Sequence, residues 1–95
     1  MICVSIGRSR HKMVLAEHRH LVEQGAKMVE LRLDYIRGDV NISRLLADRP
    51  CPTLISCRRE IDGGRFAGSE QDRQLLLRTA IAEGVDYVDL EEDIA

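Results

Sequence analysis

Four short runs of branched and apolar residues, at 2–6, 28–33, 53–57 and 86–90, are each separated from the next by a segment with helical spacing. This alternation constrains the fold more than any other feature of the chain. Strands that alternate strictly with helices lie parallel and are joined by right-handed crossovers. The first helical segment, 11–24, carries Val14, Leu21 and Val22 on one face. The second, 41–48, carries Ile42, Leu45 and Leu46, and the third, 69–83, carries Leu76, Leu77, Ala80 and Ile81. Ser69-Glu70-Gln71-Asp72 has the form of a helix start, and Gly25 and Gly84 stand where a helix-terminating residue belongs. Pro50 and Pro52 follow the second helix. The stretches Gly25–Arg32 and Gly84–Glu91 resemble each other, each running from helix stop through a strand with a carboxylate between Val and Leu.

The expected class is α/β, a parallel β/α repeat with four strands and three helices. Within the strands, residues alternate in character. Val29, Leu31 and Leu33 share one face, and Glu30, Arg32 and Asp34 share the other. Leu54, Ser56 and Arg58 oppose Thr53, Ile55 and Cys57. Tyr87, Asp89 and Glu91 oppose Asp86, Val88 and Leu90, and Cys3 and Ser5 oppose Ile2, Val4 and Ile6. A parallel sheet covered on both sides reads as continuous apolar runs, which these are not. Charges on a strand face make sense at the C-terminal mouth of a β/α barrel. The alternative is a flavodoxin-like or half-barrel binding or assembly module without catalysis. An open doubly wound sheet would require an apolar face where Glu30, Arg32, Arg58 and Asp89 stand.

A complete barrel of this kind has eight strands and roughly 250 residues. Residues 1–95 are therefore expected to form the N-terminal half of a (β/α)8 TIM barrel, a fragment of a single domain. Its polar face and open strand edge are expected to pair with a second copy, giving a homo-oligomer.

Composition narrows the function classes. The net charge is −2, with 44% hydrophobic and 32% charged residues. No basic excess points to nucleic acid, and three aromatics are too few for a base-stacking platform. No apolar run reaches the roughly 18–20 residues of a membrane span. The start reads as a strand without signal-peptide features, and Cys3, Cys51 and Cys57 form no CxxC pair, so a cytoplasmic protein with reduced thiols is expected.

Two constellations carry chemistry. Glu30, Arg32 and Asp34 set acid, base and acid on one strand face, where they can neutralise one another or offer the Arg32 fork to a carboxylate or hydroxyls. Arg58 ends the third strand and opens a polar loop at 59–68 with three glycines, which is a candidate lid. His18, in line with Val14 and Leu21, reads as a packing histidine. Lys12 and Lys27 lie outside the strand ends, where an amine could be desolvated and activated. Asp89, Glu91, Glu92 and Asp93 lack His or Cys partners and are weak metal evidence, so no metal or cofactor is expected.

At these residues the chain resembles type I 3-dehydroquinate dehydratase of the shikimate pathway. The likeness lies in Val4-Ser5-Ile6, Glu30-x-Arg32-x-Asp34, Ser56-Cys57-Arg58 with Asp62-Gly63-Gly64, and Val88-Asp89-Leu90-Glu91, in order over nearly all 95 residues. The resemblance implies a (β/α)8 barrel that converts 3-dehydroquinate to 3-dehydroshikimate, a lyase reaction. It implies a lysine that forms an imine with the substrate ketone and a histidine that moves protons, both beyond Ala95. It also implies that Ser5, Glu30, Arg32 and Arg58 bind substrate, with backbone from the segment through Leu31. No catalytic residue is expected in these 95 residues, and the chain alone is expected to be inactive. The family's loop acid before Gly-Gly is usually glutamate. Asp62 stands here, one methylene shorter, which shortens the reach of that acid.

Overall fold

Alternate strand residues take opposite sides of the sheet, and that division builds the molecule. The computed structural model describes residues 3–47 and 49–89. Its elements in chain order are β1 (Cys3–Ile6), α1 (His11–Glu23), β2 (Met28–Arg32), α2 (Ile42–Leu46), β3 (Thr53–Ser56), α3 (Glu70–Ala82) and β4 (Tyr87–Val88). The four strands are parallel, in the spatial order β1-β2-β3-β4. Each strand neighbours its successor and the order never reverses, as in a β/α barrel. A flavodoxin-like sheet requires a reversal. Neighbouring helices also touch, α1 against α2 and α2 against α3, as the outer layer of a barrel does.

The helix-facing side is the core. Ile6, Val29, Leu31, Leu33, Ile55 and Cys57 are buried there against Val14, Ile42, Leu45, Leu77 and Ala80. Burying each Leu, Ile or Val side chain stabilises the fold by about 1.5–3 kcal/mol. His18 is 1% exposed within this layer, its Nε2 lying 3.3 Å from Cys51 Sγ, so it packs between helix and sheet as expected.

Local chemistry sets the ends of the elements. Ser69 Oγ accepts from the Asp72 N–H at 3.0 Å, and Asn41 Oδ1 accepts from the Arg44 N–H at 3.0 Å. Gly25 and Gly84 follow α1 and α3 with φ of 100° and 81°, a left-handed conformation that side chains resist. At the N-terminal ends of the strands Arg49 acts as a clamp. It donates to Asp86 Oδ2 at 3.0 Å and to the Gly84 carbonyl at 2.8 Å, and Asp86 Oδ2 also accepts the Thr53 N–H at 2.8 Å.

Three expectations need correction. β2 ends at Arg32, because Leu33–Tyr35 turns as a 3-10 helix closed by the Ile36 N–H on the Leu33 carbonyl at 3.1 Å. Asp34 is therefore a turn residue rather than the third charge of a strand face. β3 stops at Ser56, one residue early. The buried stripe of α3 is Arg73, Leu77 and Ala80, while Ile81 is 56% exposed. Ile2, Asp48 and Leu90 of the expected elements lie outside the described residues.

Two imidazoles make folding sensitive to mild acid. Burial lowers the pKa of His18. Burial, and then the Arg44 charge, lower that of His11, whose Nε2 accepts the Asn41 N–H at 2.8 Å. Their folded pKa values lie below the ordinary 6.5, so the unfolded chain binds more protons just under that pH. The stabilisation they contribute is complete above pH 6.5 and is lost as pH falls from there through the folded values. Chemical denaturation from pH 7.5 to 5.0 should show a falling midpoint, and His18→Gln should flatten the fall. A midpoint constant over that range would contradict neutral histidines in the fold.

Candidate functional site

The upper half of the other sheet face is polar, and its groups are brought together by register. Ser5 lies opposite Glu30 on β1 and β2, and Arg32 lies opposite Ser56 on β2 and β3. Glu30 is held from both sides. Its Oε1 accepts a hydrogen bond from Ser5 Oγ and its Oε2 accepts one from Ser56 Oγ at 2.7 Å. Ser56 is buried. These bonds orient the carboxylate and leave further lone pairs for a hydroxyl.

Arg32 makes a two-pronged contact with Asp34, Nε to Oδ1 at 3.1 Å and Nη2 to Oδ2 at 2.8 Å. Burial works against the guanidinium charge, but the hydrogen bonds and charge of Asp34, with Glu30 and Tyr35, outweigh it and raise the Arg32 pKa. The Tyr35 ring sits between two guanidinium groups, Arg32 at 5.0 Å and Arg65 at 4.4 Å from its centroid. Gly7 permits this packing, since a Cβ there would lie 2.9 Å from the ring.

Arg58 projects beyond β3 and donates from Nη2 to Asp89 Oδ2 at 3.3 Å. Its Nε is buried and makes no hydrogen bond among the described residues. A buried donor of this kind calls for a partner. The following loop folds back over its own start. The Gly64 N–H bonds the Arg59 carbonyl at 2.8 Å and the Phe66 N–H bonds the Arg58 carbonyl at 3.1 Å. Gly63 has φ 84°, and a Cβ on Gly64 would lie 2.1 Å from the Arg58 carbonyl oxygen. Asp34 ties the loop to β2 by accepting the Arg65 N–H at 3.0 Å.

Ser5, Glu30, Arg32 and Arg58 thus share one end of one sheet face. Leu31 does not present its side chain there. It is 1% exposed in the core, and only its backbone, between Ile6 and Ile55, borders the site. The side chain of Asp62 and all of Glu91, Glu92 and Asp93 lie outside the described residues. Lys12 and Lys27 are exposed and His11 caps α2, so none joins the group. Among the described residues no group of three or more His, Cys, Asp or Glu side chains is arranged to hold a metal ion, and no helix is long and apolar enough to cross a membrane.

One role and one participant go beyond the reading of the sequence. Ser56, already placed on one face with Arg58, completes the cradle of Glu30. Arg73 is buried beneath the loop, and the signal was its position four residues before Leu77 on the apolar stripe of α3. A groove of about 570 Å³ between the segment 33–40, the end of the 59–68 loop and the start of α3, lined by Leu33, Val40, Phe66 and Leu76, borders the site through Asp34 and Arg65. It contains none of Ser5, Glu30, Arg32 or Arg58, and convergence of polar groups is the better guide to chemistry than cavity size.

Residues 2–95 match the family model described as type I 3-dehydroquinase. The chain is 40% identical over 91 residues to a 3-dehydroquinate dehydratase of Desulfotalea psychrophila, covering 95% of this chain and 38% of that protein. It is 36% identical over 92 residues to one of Methanothermobacter thermautotrophicus, covering 95% and 41%. It is also 32% identical over 99 residues to the chloroplastic bifunctional 3-dehydroquinate dehydratase/shikimate dehydrogenase of Arabidopsis thaliana, covering 100% and 16%. The chain spans at most about two fifths of the length of these relatives. With a family model matched from residue 2 to residue 95 and relatives of this identity, the chain belongs to the type I 3-dehydroquinase family.

Proposed function

We propose that this chain is the substrate-binding half of a 3-dehydroquinate dehydratase barrel, a single domain completed by further β/α units. The observation that carries the reading is the Glu30 carboxylate, cradled by Ser5 and Ser56, with Arg32 and Arg58 at the same strand ends. The substrate is a hydroxylated ring carboxylate. A guanidinium binds its carboxylate as a charge-assisted fork, and an oriented carboxylate accepts from its hydroxyls. Arg58 is the better placed of the two arginines for the first task, because its side chain is 42% exposed against 16% for Arg32, and its one ion pair among the described residues is the 3.3 Å contact with Asp89. Arg32 already spends two donors on Asp34, which suits it to a fixed wall of the site. Leu31 contributes backbone alone.

The dehydration itself needs an amine and a proton carrier. An imine between a lysine and the substrate ketone draws electrons from the neighbouring C–H, and a base removes that proton before the hydroxyl departs. In this reading the lysine and histidine come from outside these 95 residues, and the segment described here binds and orients. No cofactor is required. The proposed setting is the cytoplasm, where free cysteines stay reduced.

In the intact enzyme Arg58→Ala should raise KM by roughly ten- to a hundredfold, as expected for loss of a charged hydrogen bond worth about 1.5–3 kcal/mol. Unchanged KM and kcat would remove Arg58 from the site. The purified 95-residue chain should show no turnover of dehydroquinate, and measurable turnover would overturn the assignment of the amine to another segment. The chain should also self-associate through its open sheet face, where Cys3 and Tyr87 are exposed. Sedimentation as a monomer at micromolar concentration would refute this.

A further inference from the structure

Arg73 has 0% side-chain exposure: its place on the inner stripe of α3 buries the side chain, but does not by itself compensate the charge of its guanidinium. Its hydrogen bonds do. Nη1 donates to the Cys57 carbonyl at 3.0 Å, while Nε and Nη2 donate to the two carboxylate oxygens of Glu70 at 3.0 and 2.6 Å. Cys57 is the residue just past the end of β3, and its carbonyl belongs to the peptide from which Arg58 projects. Glu70 reaches further, its Oε1 lying 3.6 Å from Arg59 Nη1. One buried fork therefore grips the backbone before Arg58, and its carboxylate partner approaches the side chain after it.

The other constraints on this turn lie further along the loop. The Phe66 N–H holds the Arg58 carbonyl, the absence of a Cβ at Gly64 lets the chain cross it, and Asp34 accepts the Arg65 N–H. Glu70 reaches Arg59 from α3 at 3.6 Å. Arg73 attaches the backbone just before Arg58 to the same helix. Its stem lies in the core layer of Leu77 and Ala80, so the guanidinium is presented from a rigid base.

We propose that Arg73, with Glu70, is a positioning residue: by fixing the Cys57 carbonyl it sets the direction in which Arg58 meets the substrate carboxylate. This rests on the reading of Arg58 as a substrate-binding residue. The pair touches no reacting atom, so its loss acts on binding before chemistry.

Arg73→Met keeps the buried stem and removes every donor, and Arg73→Lys keeps the charge on a flexible ammonium that has donors but no planar fork. Glu70→Gln, at the exposed rim, guards against failure to fold. In the intact enzyme Arg73→Met should raise KM about tenfold with kcat within about twofold, Arg73→Lys should fall between it and the parent, and Glu70→Gln should raise KM about threefold. In the 95-residue chain, amide exchange at Gly64 and Phe66 should quicken in Arg73→Met and Glu70→Gln, a readout that needs no substrate. Lowered Tm with unchanged KM, in an enzyme that Arg58→Ala impairs, would show Arg73 to be a core filler and overturn the proposal. Unchanged exchange at both amides in a folded variant would overturn it as well. If exchange quickens but Arg58→Ala leaves KM intact, the substrate reading of Arg58 fails and the claim about substrate direction fails with it, while the mechanical coupling stands.

Discussion

A carboxylate in the middle of a sheet face must be held by something, and the way Glu30 is held organises this molecule. Its two oxygens take hydroxyl donors from the strands on either side, Ser5 and Ser56. A slip of one residue in either pairing would move a serine to the helix side and bring an aliphatic side chain against the charge. The apolar face imposes the same register, since Ile6, Leu31 and Ile55 must all reach the helices. Polar and apolar requirements agree on one alignment of three parallel strands, and that agreement places Arg32 and Arg58 at the same end.

The two ends of the sheet are built differently. At the N-terminal end Arg49 and Asp86 join backbone groups of separate elements, and their contacts are with one another and with main chain. At the C-terminal end the charged groups keep unused capacity: lone pairs on Glu30 and the partly exposed guanidinium of Arg58. This matches the division expected of a β/α barrel, with a stabilising floor at one end and, in the proposed reading, a substrate-binding mouth at the other. The 59–68 loop belongs to the mouth, yet it is tied by Asp34, by its own backbone and by Arg73.

Much of this was legible in the sequence because it depends on spacing. The period of two in Val29–Leu33 assigns the faces, Ser69 and Asn41 announce helix starts, and Gly84 marks a stop that needs positive φ. The rest depends on contacts between distant segments. Asp34 continues the alternation of β2 in the sequence, but a carboxylate that can take two donors from Arg32 and a backbone N–H from the 59–68 loop is held better in a turn than in a strand. Arg73 breaks the apolar stripe of α3, and a sequence reading puts an arginine in solvent. The Glu70 carboxylate one turn away and the Cys57 carbonyl, sixteen residues earlier, together make its burial favourable. Ile81 shows the converse, an apolar residue beside the buried stripe of Arg73, Leu77 and Ala80 that stays 56% exposed.

The charges of this half-site are compensated within it. Glu30 has its serines, Arg32 has Asp34, Arg58 has Asp89 and Arg73 has Glu70, so no group waits on another segment for its first partner. The apolar layer below them is different. On the same face Tyr87 is 55% exposed and Cys3 is also open to solvent, beside the half-buried Met28 and Leu54. Apolar surface facing water at the centre of a sheet is a standing cost that only cover removes. The described sheet is thus electrostatically self-sufficient but leaves apolar surface uncovered. In the proposed reading, cover by further β/α units or by a second copy is driven by this apolar layer. The polar groups at the strand ends would then stay pre-oriented, because such cover does not consume them.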